Sequence, residues 1–276
     1  MLDDCDAVLA ARLYQQKNGG VIQEDGTTNK YEYMVVDEVQ DFDPLSLSSL
    51  VDSVKELEHL TLVGDVAQSI RKNSAFPGWE TLKKHWLGGS DASFFTLSVS
   101  HRTVFPIMRF ADFILGQKRT KGGRKGKPPL WFKCLYENTG VTEVLSWLKR
   151  VLEKFPDELT AVICSDASEA HHVLSLLEPT FGAAVRLGDK YSFSFEEGIV
   201  VTDVESVKGL EFANILIWNP TSKTYPRTDE GRHKLYTAVT RAEDHLCMVT
   251  WGRQSRLLPN VYSKLVRGYE RDIEDE

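Results

Sequence analysis

Short apolar runs alternate with longer amphipathic stretches along most of this sequence. The runs are rich in β-branched residues, which is typical of strands buried in a parallel sheet. We predict strands within residues 31–38, 59–65, 94–100, 159–165, 197–204, 213–220 and 245–251. Helices are predicted over residues 44–57, 104–116, 141–155, 167–178 and 231–242. This alternation predicts an α/β fold with parallel sheets and right-handed crossovers.

Polar residues follow several of the predicted strands. Asp37, Asp65 and Ser165 each come directly after an apolar run. Ligands of open α/β sheets bind beyond the carboxyl ends of the strands, so these positions are candidates for ligand contacts.

Length and composition narrow the class of protein. The 276 residues are 42% hydrophobic and 26% charged, which indicates one large or two ordinary globular domains and argues against disorder. No apolar run approaches the roughly 18 residues of a membrane span, and no basic leader precedes the first apolar patch. We therefore expect no membrane segment, no secretion, and a cytoplasmic location (nuclear in a eukaryote). Scattered cysteines without a C-x-x-C pair agree with a reducing compartment.

The net charge of −7 shows that the whole molecule is not a polycation. One segment is strongly basic despite this acidic balance, and we call residues 118–127 the basic segment. It is either a mobile, solvated loop or a loop that contacts nucleic-acid phosphates with salt-sensitive affinity. Its basic residues are Lys118, Arg119, Lys121, Arg124, Lys125 and Lys127.

Two acidic or amide-bearing loops follow predicted strands. The first, after "MVV", is either a surface turn or a catalytic site in which Asp37 holds Mg²⁺ through water and Glu38 deprotonates the attacking water. In the second, Gly64 permits a tight turn and Gln68 is spaced to direct its amide at the same site. An amide there would bond a terminal phosphate without adding charge.

Two arginines stand beside other predicted strands. Arg102 follows one strand, and Arg241 lies on a helix that precedes another. Such residues usually form weak surface salt bridges. Reaching a phosphate from another domain, they would instead stabilise charge in the transition state.

Five segments, in this order, resemble the motifs of the UvrD/Rep-like superfamily 1 DNA helicases. They are "VVDEVQD" (35–41), "LVGDVAQSI" (62–70), "LSVSHR" (97–102), "SVKGLEF" (206–212) and "LYTAVTRAEDHL" (235–246). The resemblance covers about residues 30–250 and implies RecA-like domains of the P-loop NTPase fold, one partial and one complete. Residues 1–100 would be the C-terminal part of the first domain, and 101–276 the second. "DDCDAVLAARL" and "GWETL" resemble the branch that contains HelD, whose members associate with RNA polymerase.

The resemblance also implies roles for individual residues, with ATP and Mg²⁺ as cofactors. Asp37, through water, and Glu38 would form the metal site, and Glu38 would be the general base. The catalytic set would be Glu38, Gln68, Arg102 and Arg241, with Arg241 as the arginine finger. Gln40 and Gln68 would couple the γ-phosphate to the DNA-binding surface. The nucleotide would contact Asp37, Gln40, Gln68, Arg102, Gly209, Glu211 (at the ribose) and Arg241. Thr202 and His101 would contact single-stranded DNA, or a duplex with a single-stranded tail, or would lie at the interdomain cleft. The basic segment is a further candidate for the same nucleic acid because of its charge, independently of the resemblance.

Some positions depart from the family pattern. Ser100 and His101 replace the usual Asn-Tyr, and Val207 stands where Ser or another small residue is common. Asp203 and Glu205 add negative charge to a segment that faces DNA in the family.

The phosphate-binding G-x-x-x-x-G-K-[ST] pattern does not occur in this sequence. Its nearest match, "GGRKGKPP", fails at the hydroxyl residue and follows the acidic loop, whereas the family's loop precedes it. One hypothesis is therefore the C-terminal portion of an ATP-dependent DNA helicase or translocase, inactive alone and completed by an upstream segment. Another is a helicase-like module that binds nucleic acid or a protein such as RNA polymerase without hydrolysis. A third is a different enzyme of the P-loop fold whose phosphate loop is lost or replaced. Retention of Glu38 and Arg241 favours the first.

Overall fold

The computed structural model describes residues 4–22, 24–68, 76–86 and 92–271. The chain divides into two units, Met1–Thr96 and Leu97–Glu276. This division falls close to the domain boundary predicted between residues 100 and 101.

The first unit contains three helices and four short strands among its described residues. These are α1 (Asp4–Asn18), β1 (Val21–Ile22), β2 (Thr28–Asn29), β3 (Met34–Val36), α2 (Pro44–Val51), β4 (Leu60–Leu62) and α3 (Trp79–His85). Strands β1 and β2 are antiparallel, whereas β3 and β4 are parallel. Helix α2 begins where the Asp43 carboxylate accepts from the amides of Leu45 and Ser46, with Pro44 in the first turn.

Strand β3 is covered on one side only. Val36 joins a small core with Val39, Leu47 and Leu82. Val35, on the other face, is 72% exposed. Parallel sheets are normally covered on both faces, so this face is unusually open for its fold class.

The second unit holds most of the secondary structure. Its elements are β5 (Val99–Val104), α4 (Phe105–Leu115), β6 (Gly122–Arg124), β7 (Leu130–Cys134), α5 (Glu137–Lys154), β8 (Leu159–Cys164), α6 (Ala167–Phe181), β9 (Val185–Leu187), β10 (Gly198–Asp203), β11 (Phe212–Trp218), α7 (Asp229–Thr240), β12 (Ala242–Thr250) and β13 (Arg267–Arg271). Seven strands form one sheet in the order β13-β7-β12-β11-β8-β10-β9, and every neighbouring pair is parallel. Strands β5 and β6 form a separate parallel pair. The predicted α/β fold with a parallel sheet flanked by helices is confirmed.

The sheet's core follows from the apolar runs. Strands β8, β10 and β11 are central and almost completely buried. Helices α5 and α6 pack on this sheet and contribute Val144, Leu148 and Val173 to its main apolar cluster. Burial on both faces explains why these strands are continuously apolar and do not alternate with polar residues.

Some predicted boundaries are wrong. The strand predicted within 94–100 begins only at Val99 and extends to Val104, while Phe95 and Leu97 are exposed. The helix predicted over 44–57 ends at Val51. Two helices and six strands were not predicted: α1, α3, β1, β2, β6, β7, β9 and β13. Strand β13 was missed because its sequence, "RGYER", contains no apolar run. The acidic end of the chain, beyond Arg271, lies outside the described residues.

None of the helices in the described part of the chain has the length and apolar character that a membrane crossing needs.

Candidate functional site

The acidic loop, residues 37–41, leaves the carboxyl end of β3. Asp37 is exposed, and its Oδ1 accepts from the Glu38 amide at 2.8 Å. Glu38 has a left-handed backbone, with φ 53° and ψ 37°. This conformation costs a residue with a side chain about 1–2 kcal/mol. Strain of this kind clusters at functional sites, which supports a functional role for Glu38.

Gln40 connects the acidic loop to the loop that follows β4. Its side chain is completely buried. Its Nε2 donates to the Glu38 carboxylate, and its Oε1 accepts from the Asp65 amide at 3.0 Å. One amide side chain therefore orients the predicted base and holds two sequence-distant loops together.

Residues 64–68, the glycine loop, lie against the acidic loop. A Cβ added at Gly64 would stand 2.8 Å from Val39 Cγ1 and would also strike Gln40 Oε1. Gln68 Nε2 donates to Asp65 Oδ2 at 3.1 Å. The structure thus brings Gln68 into the same pair of loops as Glu38. Ser69 and Ile70 of the corresponding motif lie outside the described residues.

The donor set is compatible with a weakly held magnesium ion. Among the described residues, no group of three His, Cys, Asp or Glu side chains could hold a metal ion by itself. Mg²⁺ at ATP sites is bound by one or two carboxylates, with waters and phosphate oxygens completing its octahedron. The exposed Asp37 carboxylate fits that arrangement.

In the second unit, Arg102, Glu211 and Arg241 form what we call the arginine cluster. The Arg102 guanidinium on β5 forms an ion pair with Glu211. Arg241 follows α7 and is 2% exposed. Its Nη1 donates to the Leu210 carbonyl at 3.3 Å, and its own carbonyl accepts from the Phe212 amide at 3.0 Å. All three charged residues therefore meet at the turn that precedes β11.

Gly209 stands in this turn with φ 79°, a left-handed backbone that glycine adopts without steric cost. The turn directly precedes β11, and Arg241 directly precedes β12. The arginine cluster thus lies at the amino-terminal edge of the sheet. The ligand position that we expected from general rules for open sheets is the opposite edge.

Thr202 does not fit its predicted role as a nucleic-acid contact. It lies within the central strand β10 and is completely buried. Its hydroxyl makes no hydrogen bond with any described residue. Neighbouring Asp203 uses its carboxylate to accept from the Glu205 amide at 2.9 Å and the Ser206 amide at 3.1 Å. Asp203 therefore stabilises the turn after β10, which explains an acid at this position.

The basic segment is held to the second unit by its backbone. The buried Asp112 carboxylate accepts from the amides of Arg119 at 3.1 Å and Thr120 at 2.9 Å. The Lys121 amide donates to Ser98 O at 2.7 Å, and β6 continues the pairing with β5. All six basic side chains are exposed, as is His101 on β5. These backbone contacts order the segment, while its exposed side chains are accessible to solvent and to nucleic acid alike.

The Arg124 side chain makes contacts within the second unit. Its guanidinium donates to the Arg102 carbonyl and pairs with Asp244 Oδ1 at 2.9 Å. The predicted phosphate contact at Arg124 therefore competes with contacts inside the second unit.

Acids surround these arginines. Burial raises the pKa of Glu243, and the carboxylates of Glu211 and Asp244 raise it further, against the opposing effect of Arg102 and Arg124. Burial also lowers the pKa of His245 on the same strand. The region is a mixed charge network and does not form a purely basic phosphate pocket.

Sequence reasoning missed Asp112 and Asp244. Asp112 interrupts the apolar stretch "FADFIL" of a helix, and an acid on a buried helix face implies a partner, so a signal existed. No such signal existed for Asp244, because the sequence "AEDH" does not show which of its two acids, Glu243 or Asp244, pairs with an arginine.

Comparison with protein families gives two matches. A model described as UvrD-like helicase C-terminal domain matches residues 198–249, which include Gly209, Glu211 and Arg241. Residues 198–249 are therefore similar to the C-terminal domain of the UvrD-like helicases. A model described as AAA domain matches residues 6–74, which include both the acidic and the glycine loops. Arg102 and the basic segment lie outside both matches. The predicted relation is confirmed, while membership of the HelD branch stays a prediction.

A solved structure supports the same relation. It is the C-terminal domain of a possible DNA helicase from Lactobacillus plantarum WCFS1. That domain is 26% identical to this chain with a TM-score of 0.50, and the alignment covers 60% of this chain and 96% of that one. No curated protein matches the chain. Both comparisons therefore find similarity to domains described as helicase domains.

Proposed function

We propose that this chain is the C-terminal portion of an ATP-dependent DNA helicase or translocase that couples ATP hydrolysis to movement on single-stranded DNA. The observation that carries the proposal is the Gln40 bridge. It holds a strained glutamate in a fixed orientation at the carboxyl ends of two parallel strands, beside Asp37 and Gln68. Such a device has no evident purpose in a surface turn.

The acidic loop supplies the hydrolytic groups in this proposal. Asp37 would hold Mg²⁺ through water, and the bound ion would supply positive charge to the phosphates. Glu38 accepts the proton of the attacking water, and Gln40 keeps its carboxylate from rotating. Gln68 donates its amide to the terminal phosphate.

The arginine cluster supplies positive charge for the transferred phosphoryl group. Arg102 exchanges Glu211 for a phosphate, which keeps the guanidinium paired throughout. Glu211 is then available to the ribose, and Arg241 acts as the arginine finger. A guanidinium in this position stabilises the charge that develops in the transition state.

Another polypeptide segment supplies the phosphate loop that this sequence lacks. The exposed face of β3, where Val35 is 72% and Tyr33 71% exposed, supports completion of the first unit by further chain. An isolated pair of short parallel strands is marginally stable, so additional strands would stabilise this one. The same reasoning predicts that the chain alone binds ATP weakly, and micromolar affinity in a titration would contradict it.

The basic segment and His101 contact the single strand, and the exposed lysines neutralise its phosphates. Anisotropy of a labelled oligodeoxythymidylate, measured over a range of salt concentrations, tests this contact. Replacing Lys118, Lys121, Lys125 and Lys127 with alanine should weaken binding and reduce the slope of log K against log salt by about 0.7 for each phosphate that is no longer neutralised. Alanine at Lys149 and Lys190, outside the segment, is the control. An unchanged slope of log K against log salt in the segment variant would show that these lysines do not contact DNA phosphates.

A helicase-like module without hydrolysis, binding nucleic acid or a protein such as RNA polymerase, is the second candidate. The observation that favours it is that both arginines of the cluster are engaged within their own unit, Arg102 with Glu211 and Arg241 with Leu210. Hydrolysis by the completed protein decides between the two.

A further inference from the structure

Arg124 makes a different set of contacts from those expected of a phosphate-binding arginine. Its Nε and Nη2 donate to the Arg102 carbonyl at 2.8 and 2.6 Å. The same Nη2 pairs with Asp244 Oδ1 at 2.9 Å and approaches the Glu243 carbonyl at 3.5 Å. Its guanidinium thus lies between two strands that are far apart in sequence.

These two strands carry the arginine cluster. Arg102 itself lies on β5, so Arg124 holds the backbone from which the Arg102 side chain projects. Asp244 lies on β12, three residues after Arg241. Arg124 also ends β6, the strand of the basic segment. One side chain therefore connects the segment that would contact DNA to the backbone of Arg102 and to the strand that begins directly after Arg241.

The chemistry of this contact requires arginine. A guanidinium presents five donors in a rigid plane, so it serves a carbonyl and a carboxylate at once with a fixed geometry. A lysine carries the same charge as a point on a flexible stem and would not hold both partners in place. The difference separates a positioning role from a phosphate contact, because a phosphate contact depends mainly on charge.

We propose that Arg124 is a positioning residue that fixes Arg102 for its contact with the nucleotide and transmits the binding of single-stranded DNA from the basic segment to the arginine cluster. The inference rests on the proposed function, which supplies its two ligands, the nucleotide and single-stranded DNA. The contacts that hold Arg124 in position are present in the chain without DNA or nucleotide.

The first test uses the chain without ligand. Amide hydrogen exchange is compared in wild type, Arg124→Lys and the control Lys125→Ala, which removes a neighbouring exposed charge. Arg124→Lys should accelerate exchange in Val99–Val104 and Gly122–Arg124 about ten- to a hundredfold, the effect of losing hydrogen bonds of a charged group. Asp244→Asn, which leaves the Arg102 contact in place, should give a smaller acceleration in the same strands. Equal exchange in Arg124→Lys and wild type would overturn the positioning role.

The second test adds oligodeoxythymidylate. Wild-type exchange should slow in Val99–Val104 and at Arg241–Asp244 when the DNA binds. Arg124→Lys should bind the DNA within about twofold of wild type, since it keeps its charge, yet lose this remote protection. Binding without remote protection in wild type would overturn transmission. If wild type binds no DNA, the DNA-binding part of the proposed function fails and transmission with it, while the first test still decides the positioning of Arg102.

Discussion

Replacing Gly64 with alanine should damage the acidic loop without touching a charged group. The φ of Gly64 is not in the left-handed region, so alanine meets no backbone strain there. Its Cβ would nevertheless lie 2.8 Å from Val39 Cγ1 and 3.1 Å from Val39 N. Carbon atoms normally stay about 3.5–4.0 Å apart, so the buried Val39 or the glycine loop must move by several tenths of an ångström.

The magnitude follows from two effects. Overpacking of this kind costs about 1–3 kcal/mol. Displacing Gln40 Oε1 from the Asp65 amide adds about 1 kcal/mol. We expect a loss of about 2–4 kcal/mol in the local free energy of opening. Hydrogen exchange at the amides of Val39 and Val63 reports it, since these amides donate to Val63 O and Val36 O.

A double-mutant cycle tests whether the Gln40 side chain is what the new methyl group strikes. Gln40→Ala makes room for the new methyl group, so the double variant should lose about 1 kcal/mol less than the sum of the single losses. Gly122→Ala is the matched control, because its Cβ would be 4.0 Å from its nearest neighbour, Val99 Cγ2. A loss below about 0.5 kcal/mol at Gly64, or strict additivity with Gln40→Ala, would refute the close approach of the two loops.

Three further predictions concern the second unit. The pKa of Glu243 is raised above its ordinary 4.5, so the folded state holds this proton more tightly than the unfolded state. Stability should therefore fall as the pH rises from 4.5 through the raised pKa. The urea midpoint of Glu243→Gln should change less with pH than that of wild type. The pKa of His245 is lowered from 6.5, so the unfolded state takes up its proton first and stability should fall as the pH drops below about 6.5. His245→Phe, which keeps a ring against Phe155, should reduce this loss, and an unchanged pH profile of the urea midpoint would contradict the prediction. Asp112→Asn should cost about 1–3 kcal/mol and weaken oligonucleotide binding although every basic residue remains, and unchanged exchange at Lys121–Arg124 would contradict this role of Asp112.

The central strands and the longer helices were predictable from local sequence. A strand that is buried on both faces appears as a continuous apolar run, which can be recognised without knowing its neighbours in the sheet. Strands β8, β10, β11 and β12 all lie largely within predicted ranges. The edge strand β13 was not predictable in this way, since a strand with one neighbour keeps charged residues such as Arg267 and Arg271.

The candidate site was predictable only in part. The spacing of Gln68 and the order of motifs indicated that the acidic and glycine loops meet, and the Gln40 contact with Asp65 shows how. The pairing of Arg102 with Glu211 joins residues more than a hundred positions apart, and no local pattern specifies it. The burial of Thr202 was not predictable, because a motif places a residue in sequence but does not show whether its side chain is buried.

The central claim, that Glu38 is the base of an ATP-hydrolysing motor, is tested most directly by measuring ATP hydrolysis with single-stranded DNA present. The chain is assayed alone and mixed with a segment that carries a phosphate loop, for example one encoded directly upstream. The account predicts DNA-stimulated hydrolysis in the mixture only, and its loss in Glu38→Gln but not in the surface control Glu58→Gln. Hydrolysis that survives Glu38→Gln, or none in a mixture that binds both ATP and DNA, would contradict it.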